Sequence, residues 1–200
     1  MQANLKPISS QEKRWARDLS KKRSKEYLHS RGYIREALSE LWQMPAIQIP
    51  LYAPPGKSPQ LSEGWGHINI SHCCDALLIG WSPKKIGVDI ERKDRIFNAE
   101  KLVSRYFSKK EINKMCSLRK EDLRIATLQN WVSKEASIKW QNANLAGNLS
   151  EWTFCNNTNL MVHESLGYEI GLHRVPYDSW FIAIAYNQEF HCKPPIICIN

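Results

Sequence analysis

The sequence predicts an α+β fold, and three stretches of the chain carry that prediction. A charged stretch near the start has apolar residues at helical spacing, a middle stretch has short β-branched runs, and a later helical stretch precedes a hairpin pattern. With 200 residues, of which 42% are hydrophobic, the chain can bury a core in one domain or in two small ones. The order of the elements predicts two halves, residues 1–83 and 84–200, that join near Pro83.

The first half is predicted to begin with helices and to continue through a loop into strands. One or two helices are expected within Ser10–Trp42, where charged residues are frequent and proline is absent. Five prolines and one glycine in residues 45–59 predict an extended loop. Short apolar runs then predict strands at His67–Ile70 and Ala76–Trp81.

The second half is predicted to contain a strand, a long helix and a hairpin. Alternating β-branched residues predict a strand at Ile86–Glu91. Residues Glu121–Trp140 lack proline and glycine and have apolar residues at helical spacing, so they are predicted to form a helix. Two strand-like runs, Tyr168–Val175 and Trp180–Tyr186, lie on either side of a proline-containing turn and predict a hairpin.

The strand at residues 86–91 carries two acidic side chains on one face. Because successive strand residues point to opposite faces, Asp89 and Glu91 share a face, while Ile86, Val88 and Ile90 enter the core on the other. Two carboxylates at this spacing can converge on a hard cation such as Mg²⁺, which prefers oxygen ligands. The same pattern is also typical of an ordinary half-exposed strand whose acids face solvent.

The long helix offers a third carboxylate beside a lysine. Trp131, Glu135 and Lys139 are spaced i, i+4 and i+8, so they share one helical face. A surface salt bridge between Glu135 and Lys139 explains this pattern equally well when it is taken alone. Together with the acidic strand, however, the helix predicts a divalent-metal site that handles a phosphate ester, with the lysine neutralising phosphate charge.

Composition restricts the partners and the compartment. A formal net charge of +8 favours an anionic partner, which could be nucleic acid, anionic lipid, or an acidic protein together with a phosphorylated ligand. The N-terminus lacks the apolar segment of a secretory signal, and no apolar run is long enough for a transmembrane helix. The six cysteines contain no C-x-x-C motif, and Cys73 and Cys74 are adjacent and form a poor disulfide pair. They do not suggest a zinc site, and we expect reduced thiols in a cytoplasmic protein.

Two segments resemble the signature pair of the 4′-phosphopantetheinyl transferases. Gly87–Glu91 matches the family pattern G-[VI]-D-[VIL]-E, and Trp131–Lys139 matches [WF]-x-x-K-E-[AS]-x-x-K at every specified position. Three further segments resemble the Sfp-type branch and follow its order: Pro55–Pro59, in which Ser58 is inserted before Pro59, Asn69–His72 and Arg105–Glu111. The last of these also fits a capping box between Ser108 and Glu111, which would simply start a helix.

The resemblance implies two similar α+β halves in a pseudo-twofold arrangement, with the active site between them. It also implies transfer of the 4′-phosphopantetheine arm of coenzyme A to a carrier-protein serine, which converts apo to holo carrier and releases 3′,5′-ADP. Asp89, Glu91 and Glu135 would be the Mg²⁺ ligands, and the catalytic group would be Asp89, Glu135 and Lys139. Glu135 would act as general base, directly or through water, and Lys139 would reach the pyrophosphate.

Other residues are expected to hold coenzyme A. Ser71 and His72 would bind its nucleotide end, with His72 on the 3′-phosphate, and Lys57 would assist. Lys134 is offset by about 100° from Glu135 on the helix, so it either contacts another phosphate oxygen or faces elsewhere. Arg31 is expected to contact phosphate together with two further basic residues of the N-terminal helix, Lys25 and Arg35, unless these residues form a solvated basic face.

The expected partners are coenzyme A and an acidic acyl or peptidyl carrier protein, with no nucleic acid and no membrane, and the chain is expected to be a monomer. Two alternatives remain at this point. A Mg²⁺-dependent nuclease also combines carboxylates with lysine, although the order Lys134-Glu135 differs from the nuclease pattern Glu-x-Lys. A non-catalytic basic module that binds nucleic acid would leave both acidic clusters unexplained.

Overall fold

The computed structural model of the chain describes residues 6–155 and 157–188. Helices and strands both build it, which confirms the predicted α+β class. The chain divides into two compact units, of which the first ends at Ile68 and the second begins at Asn69. The boundary that the sequence predicts, near Pro83, differs from this one, because residues 69–83 group with the second unit. The similarity of two halves, and an active site between them, stay predictions.

The first unit contains two helices and a short strand pair: α1 Ser10–Arg17, α2 Lys21–Trp42, β1 Leu51–Tyr52 and β2 Gln60–Leu61. The two helices confirm the prediction for this stretch. A capping box between Ser9 and Glu12 starts α1. Glu12 also receives the Arg35 guanidinium of α2 at 2.9 Å, and both side chains are almost fully buried. This ion pair therefore joins the two helices. β1 pairs antiparallel with β2, so the predicted loop contains a strand.

The second unit continues from β3 His67–His72, in which the boundary falls. Its remaining elements are β4 Leu77–Ser82, β5 Ile86–Arg92, α3 Ala99–Tyr106, α4 Lys109–Met115, α5 Lys120–Gln141, α6 Leu145–Asn148, β6 Trp152–Cys155, β7 Leu160–His163, β8 Glu169–Tyr177 and β9 Trp180–Tyr186. The predicted strands β3, β4 and β5, the predicted helix α5 and the predicted hairpin β8–β9 are confirmed, with ends that differ by two residues at most. The capping box of Ser108 and Glu111 is confirmed at the start of α4. No prediction from the sequence covered β2, α3, α6, β6 or β7.

Five strands form an antiparallel sheet in the order β5-β9-β8-β7-β6, and β3 and β4 form a separate pair. One face of the large sheet packs against α5, where Val132 and Ala136 meet Ala183 and Ala185 of β9. The opposite face has its own apolar cluster, which includes Val88 and Ile90 of β5 together with Ile182 and Ile184 of β9. The predicted division of β5 into an apolar and an acidic face is therefore confirmed, and the acidic face is the one toward α5. Within the described residues, no helix combines the length and the apolar character needed to cross a membrane.

Candidate active site

The candidate site forms where α5 lies across β5. The backbone of α5 passes so close to Gly87 that a side chain at this position would collide with it. This close approach brings the acidic face of β5 under the C-terminal half of α5. The side chain of Lys139 then reaches down to Asp89, and its Nζ lies 2.7 Å from Asp89 Oδ1.

Asp89 is the centre of this site, and its side chain is almost completely buried. The hydroxyl of Ser71 donates to Asp89 Oδ1 at 2.6 Å, and Lys139 Nζ donates both to that oxygen and, at 2.9 Å, to the Ser71 hydroxyl oxygen. Burial raises the pKa of Asp89, although the Lys139 charge and the Ser71 hydrogen bond oppose the shift. Each of these three side chains is therefore hydrogen-bonded to the other two.

The second oxygen of Asp89 has no hydrogen-bond partner. Asp89 Oδ2 is buried, and no donor among the described residues reaches it. A buried carboxylate oxygen without a donor is costly, because it has lost water and gained nothing in return. A hard divalent cation binds such oxygens, so this orphaned atom fits the metal site that the sequence predicts.

Two further carboxylates accompany Asp89. Burial raises the pKa of Glu135 to about 7, and the negative charge of Asp89 acts in the same direction, while the positive charge of Lys139 opposes it. Burial also raises the pKa of Glu91, against the charge of Arg95, which forms an ion pair with it. These shifts show that the site disfavours further negative charge. Burial is the main cause, and repulsion between the carboxylates adds a smaller contribution. A divalent cation would offset both, so the donor set suits one.

The ligand oxygens of Asp89, Glu91 and Glu135 are not gathered as tightly as those of a formed metal centre. Among the described residues, the one group of three ligating side chains whose atoms all lie within 4.8 Å of one another is elsewhere, at Cys73, Cys74 and Asp75. Asp89 instead forms an ion pair with Lys139. The three carboxylates therefore lie in the same region, but their oxygens do not converge on a single position as they would around a bound ion.

β3 carries the predicted segment Asn69–His72 to this site. The side-chain oxygen of Asn69 accepts a hydrogen bond at 3.1 Å from the backbone N–H of Val88, which lies in the edge strand β5. Ser71 is buried on Asp89, whereas the next residue, His72, is exposed. The alternation of the strand explains this difference, because neighbouring side chains point to opposite faces. The structure thus brings Ser71 to the acidic residues and leaves His72 at the surface.

Comparison with protein-family models matches residues 85–184 to ACPS, the 4′-phosphopantetheinyl transferase superfamily. The match covers half of the chain and runs from the start of β5 into β9. The chain belongs to the 4′-phosphopantetheinyl transferase superfamily. A search of curated proteins finds no match. Members of this superfamily transfer phosphopantetheine and generally use coenzyme A and a divalent metal.

The superfamily match includes the acidic strand and the helix of the candidate site. Asp89, Glu91, Glu135 and Lys139 all lie inside it. Arg31, Lys57, Ser71 and His72 precede it, so the Sfp-type branch, whose further segments lie largely in that part of the chain, stays a prediction.

Lys134, the first lysine of the superfamily signature, does not join the site, which corrects the expectation that it binds coenzyme A. Its side chain is buried, and Nζ donates to Glu111 at 2.8 Å, to the carbonyl oxygen of Leu149 at 2.9 Å and to that of Trp152. The ammonium group also lies 4.9 Å from the ring centre of Phe107. Every donor of Lys134 is thus occupied inside the second unit, where it joins α5 to α4 and to β6.

Glu111 therefore has two structural roles. It caps α4 through Ser108, and it is the only acidic partner of the Lys134 ammonium among the described residues. The segment Arg105–Glu111, which resembles the Sfp-type branch, accordingly supports α5 through Glu111. This outcome agrees with the capping-box explanation given by the sequence.

The basic residues of the first unit have different surroundings. Arg35 is buried on Glu12 and donates to backbone carbonyls, which corrects the expectation of a phosphate contact. Arg31 is also buried, and its Nε donates to the carbonyl oxygen of Ala53 at 3.0 Å. Lys25 and Lys57 are exposed. The two lysines are thus at the surface, whereas the two arginines are buried.

Arg174 of β8 is a supporting residue that the sequence analysis missed. Ala183 pairs with Asp89 on one side and with Arg174 on the other, so both side chains lie on the sheet face beneath α5. Nε of Arg174 donates to Ser133 Oγ at 2.9 Å, and a terminal nitrogen donates to Asn130 Oδ1 at 2.8 Å. Burial lowers the pKa of Arg174 to about 10. A single arginine in a strand pattern gives no sign that its partners are two polar residues on a distant helix.

Proposed function

We propose that this chain transfers the 4′-phosphopantetheine arm of coenzyme A to a serine of an acidic acyl or peptidyl carrier protein. In this reaction the serine hydroxyl oxygen forms a bond to the β-phosphorus, and the bond from that phosphorus to the bridging oxygen breaks. The serine proton passes to a base, and 3′,5′-ADP leaves with the bridging oxygen. One observation carries the proposal: a buried carboxylate with an orphaned oxygen, Asp89, lies beside Lys139 within the segment matched to the superfamily.

We assign Mg²⁺ to the three carboxylates Asp89, Glu91 and Glu135. Their raised pKa values and the orphaned Asp89 Oδ2 support this assignment, since a cation would keep all three groups ionised. When bound, Mg²⁺ supplies Lewis-acid stabilisation of charge on the pyrophosphate oxygens. Hard oxygen ligands without any sulfur or nitrogen favour Mg²⁺ over thiophilic ions.

Glu135 is the proposed general base. Burial raises its pKa to about 7, so the group is poised to exchange a proton near neutral pH. Lys139, one turn further along α5, is proposed to neutralise charge on the pyrophosphate. Its present partners, Asp89 and Ser71, hold the ammonium group at the site. The ammonium group of Lys139 would thus be close enough to the proposed metal ligands to bind a phosphate oxygen of the substrate.

Coenzyme A is proposed to be held at its nucleotide end by His72 and Lys57, both exposed, with help from Ser71. The proposed contribution of Arg31 is smaller, since the carbonyl oxygen of Ala53 already engages its Nε. This bond anchors the start of the loop that leads to Lys57, so Arg31 also supports the loop. Lys134 has no part in this proposal.

The test is the intact mass of carrier proteins after incubation with the purified chain. We expect a gain equal to the mass of the phosphopantetheine arm, only when both coenzyme A and Mg²⁺ are present, with at least one member of a panel of acyl, peptidyl and aryl carriers. Asp89→Ala and Glu135→Ala should abolish the gain while circular dichroism shows a folded chain. Glu100→Ala, an exposed acid on α3, is the matched control and should keep activity.

Two results would overturn the proposal. If no carrier of any class gained mass while the chain cleaved DNA with Mg²⁺, the nuclease alternative would be favoured. If Asp89→Ala and Glu135→Ala both transferred as fast as the unaltered chain, the assignment of the metal ligands would be wrong.

A further inference from the structure

Cys73, Cys74 and Asp75 form a cluster outside the candidate active site. They occupy the turn that joins β3 to β4, where the backbone N–H of Cys73 donates to the carbonyl oxygen of Ala76 at 3.0 Å. Both thiols donate to the same oxygen, Asp75 Oδ1, at 3.4 Å each. One ligand atom from each of the three residues lies within 4.8 Å of the other two.

Asp75 is held in place by residues from two other strands. Arg92, which follows Glu91 at the end of β5, donates to Asp75 Oδ2 at 2.5 Å, and the indole N–H of Trp180, at the start of β9, donates to Oδ1 at 3.2 Å. These bonds lower the pKa of Asp75 to about 2. The carboxylate is therefore ionised and oriented, and both thiols point toward it.

The spacing of the cluster suits a tetrahedral ion. Zinc binds thiolate sulfur at about 2.3 Å and carboxylate oxygen at about 2.1 Å, so neighbouring sulfur and oxygen ligands lie about 3.6 Å apart. The two sulfur-to-oxygen distances of 3.4 Å are close to that separation. A soft sulfur pair with one carboxylate selects thiophilic ions over Mg²⁺.

Charge also permits a cation here. Arg92 is the positive group that pairs with Asp75, but it is shared with a second carboxylate, Asp94, to which it donates twice at 2.7 Å. With both thiols ionised, the cluster and this ion pair would carry four negative charges and one positive. Arg92 cannot neutralise all of these negative charges by itself, and a divalent cation would reduce the remaining negative charge.

We propose that Cys73, Cys74 and Asp75 form a second metal site, which binds a thiophilic divalent cation of the Zn²⁺ class and is distinct from the proposed Mg²⁺ site. On binding, each thiol releases its proton to solvent and its sulfur becomes a ligand, with water in the remaining position. Until then each thiol stays a hydrogen-bond donor: burial raises the pKa of Cys73, and the hydrogen bond to Asp75 raises that of Cys74. Cysteine spacing alone did not indicate this site, because Arg92 and Trp180 orient the third ligand from distant strands.

The test uses the full-length chain, reduced with a phosphine and freed of metal, and titrates it with Cd²⁺ as a spectroscopic probe. We expect the near-ultraviolet charge-transfer band of cadmium thiolate to saturate, Zn²⁺ to displace it, and excess Mg²⁺ to leave it unchanged. Cys73→Ser and Cys74→Ser should each reduce the band, and the double variant should lose it. Cys116→Ser, which removes an exposed thiol elsewhere, is the matched control and should keep the band.

A second pair of variants tests the carboxylate. Asp75→Asn should weaken Cd²⁺ binding, whereas Asp94→Asn, which removes the other partner of Arg92 but no ligand, should not. Retention of the band in the double cysteine variant, or equal Cd²⁺ affinity in Asp75→Asn and Asp94→Asn, would overturn the proposal. So would conversion of the two thiols to a disulfide in place of Zn²⁺ binding under the same reducing conditions. None of these readouts uses coenzyme A or a carrier, so the outcome is independent of the proposed transferase activity.

Discussion

Gly87 lies directly beneath the backbone of Ala136. A Cβ atom at Gly87 would lie 2.0 Å from the carbonyl oxygen of Ala136 and 2.4 Å from the backbone nitrogen of Trp140. Glycine is therefore the residue that lets α5 rest on β5 at this distance. The glycine of the signature strand thus positions Glu135 and Lys139 over Asp89 without touching a ligand itself.

Gly87→Ala should destabilise the chain and weaken transfer. The added methyl group meets helix backbone and not a flexible side chain, so α5 must move away from β5. Overpacking of this kind costs about 1–3 kcal/mol or more. Urea unfolding followed by circular dichroism measures the loss. Gly147→Ala in α6 is the control, because nothing lies within 4 Å of its added methyl group. Equal stability of the two variants would contradict the close approach of helix and strand.

Substitution of the two lysines of the signature, Lys134 and Lys139, should have different effects on stability and on transfer. Lys134→Met should lower the free energy of unfolding by about 3–5 kcal/mol, because it leaves the buried Glu111 carboxylate without its cationic partner and two carbonyl groups without the Lys134 donor. Lys139→Met should reduce transfer strongly, and in a chelator it should also lower stability, because the buried Asp89 loses its cationic partner. Added Mg²⁺ should restore that stability in Lys139→Met and not in Lys134→Met, since the proposed metal ligands include Asp89 and do not include Glu111. Unfolding curves and transfer rates of the two variants, measured side by side, distinguish these roles.

A double variant sharpens this test. Combining Lys134→Met with Glu111→Gln removes the unpaired buried charge, so part of the lost stability should return. If Lys134→Met kept full stability and lost only affinity for coenzyme A, the result would favour a phosphate contact for Lys134 over its structural role.

Arg174→Gln should loosen α5 from the sheet. The change shortens the side chain and removes the charged donors to Ser133 and Asn130, and charge-assisted hydrogen bonds contribute about 1.5–3 kcal/mol. We expect lower stability and, because α5 carries Glu135, a weaker apparent affinity for Mg²⁺. The Mg²⁺ concentration at half-maximal transfer measures the second effect. Arg105→Gln in α3, an exposed arginine, serves as control. An unchanged Mg²⁺ requirement in Arg174→Gln would limit that residue to a role in folding.

Glu135 should make the metal-free chain less stable as pH rises. Burial raises its pKa from 4.5 to about 7 on folding, so the folded chain binds a proton that the unfolded chain releases between these values. The stabilising contribution is therefore complete below pH 4.5 and is lost as pH rises through 7, by roughly 3 kcal/mol at one pKa unit per 1.36 kcal/mol. Urea unfolding in a chelator at pH 5 and at pH 8 measures the difference, with the pH values chosen to bracket about 7.

Glu135→Gln should flatten this dependence, because the amide does not ionise. Glu100→Gln controls for the removal of an exposed carboxylate. Added Mg²⁺ should stabilise the unaltered chain more at high than at low pH, since the cation competes with protons for the same oxygens. A pH dependence that persisted in Glu135→Gln would assign it to another group.

Local patterns predicted most elements that the structure contains. The alternation in β5 and the helical spacing in α5 are readable because each element repeats its own period. The hairpin of β8 and β9 follows from two strand-like runs, but its turn lies at Asp178 and Ser179, and Pro176, which was predicted to be in the turn, belongs to β8. β6 and β7 were missed because each is a run of only four residues, and their stability depends on pairing with each other and with β8.

The sequence by itself determined the acidic strand, the helix with Glu135 and Lys139, and the family to which these segments belong, because those features depend on order and spacing along the chain. Only the tertiary structure decided which lysine faces the site. Lys134 and Lys139 are both in the signature, but Glu111 and two carbonyl groups draw Lys134 inward, while Gly87 brings α5 close enough for Lys139 to reach Asp89. Glu111 and Gly87 are distant from these lysines in the sequence, so the local pattern of α5 could not predict which lysine each of them would position.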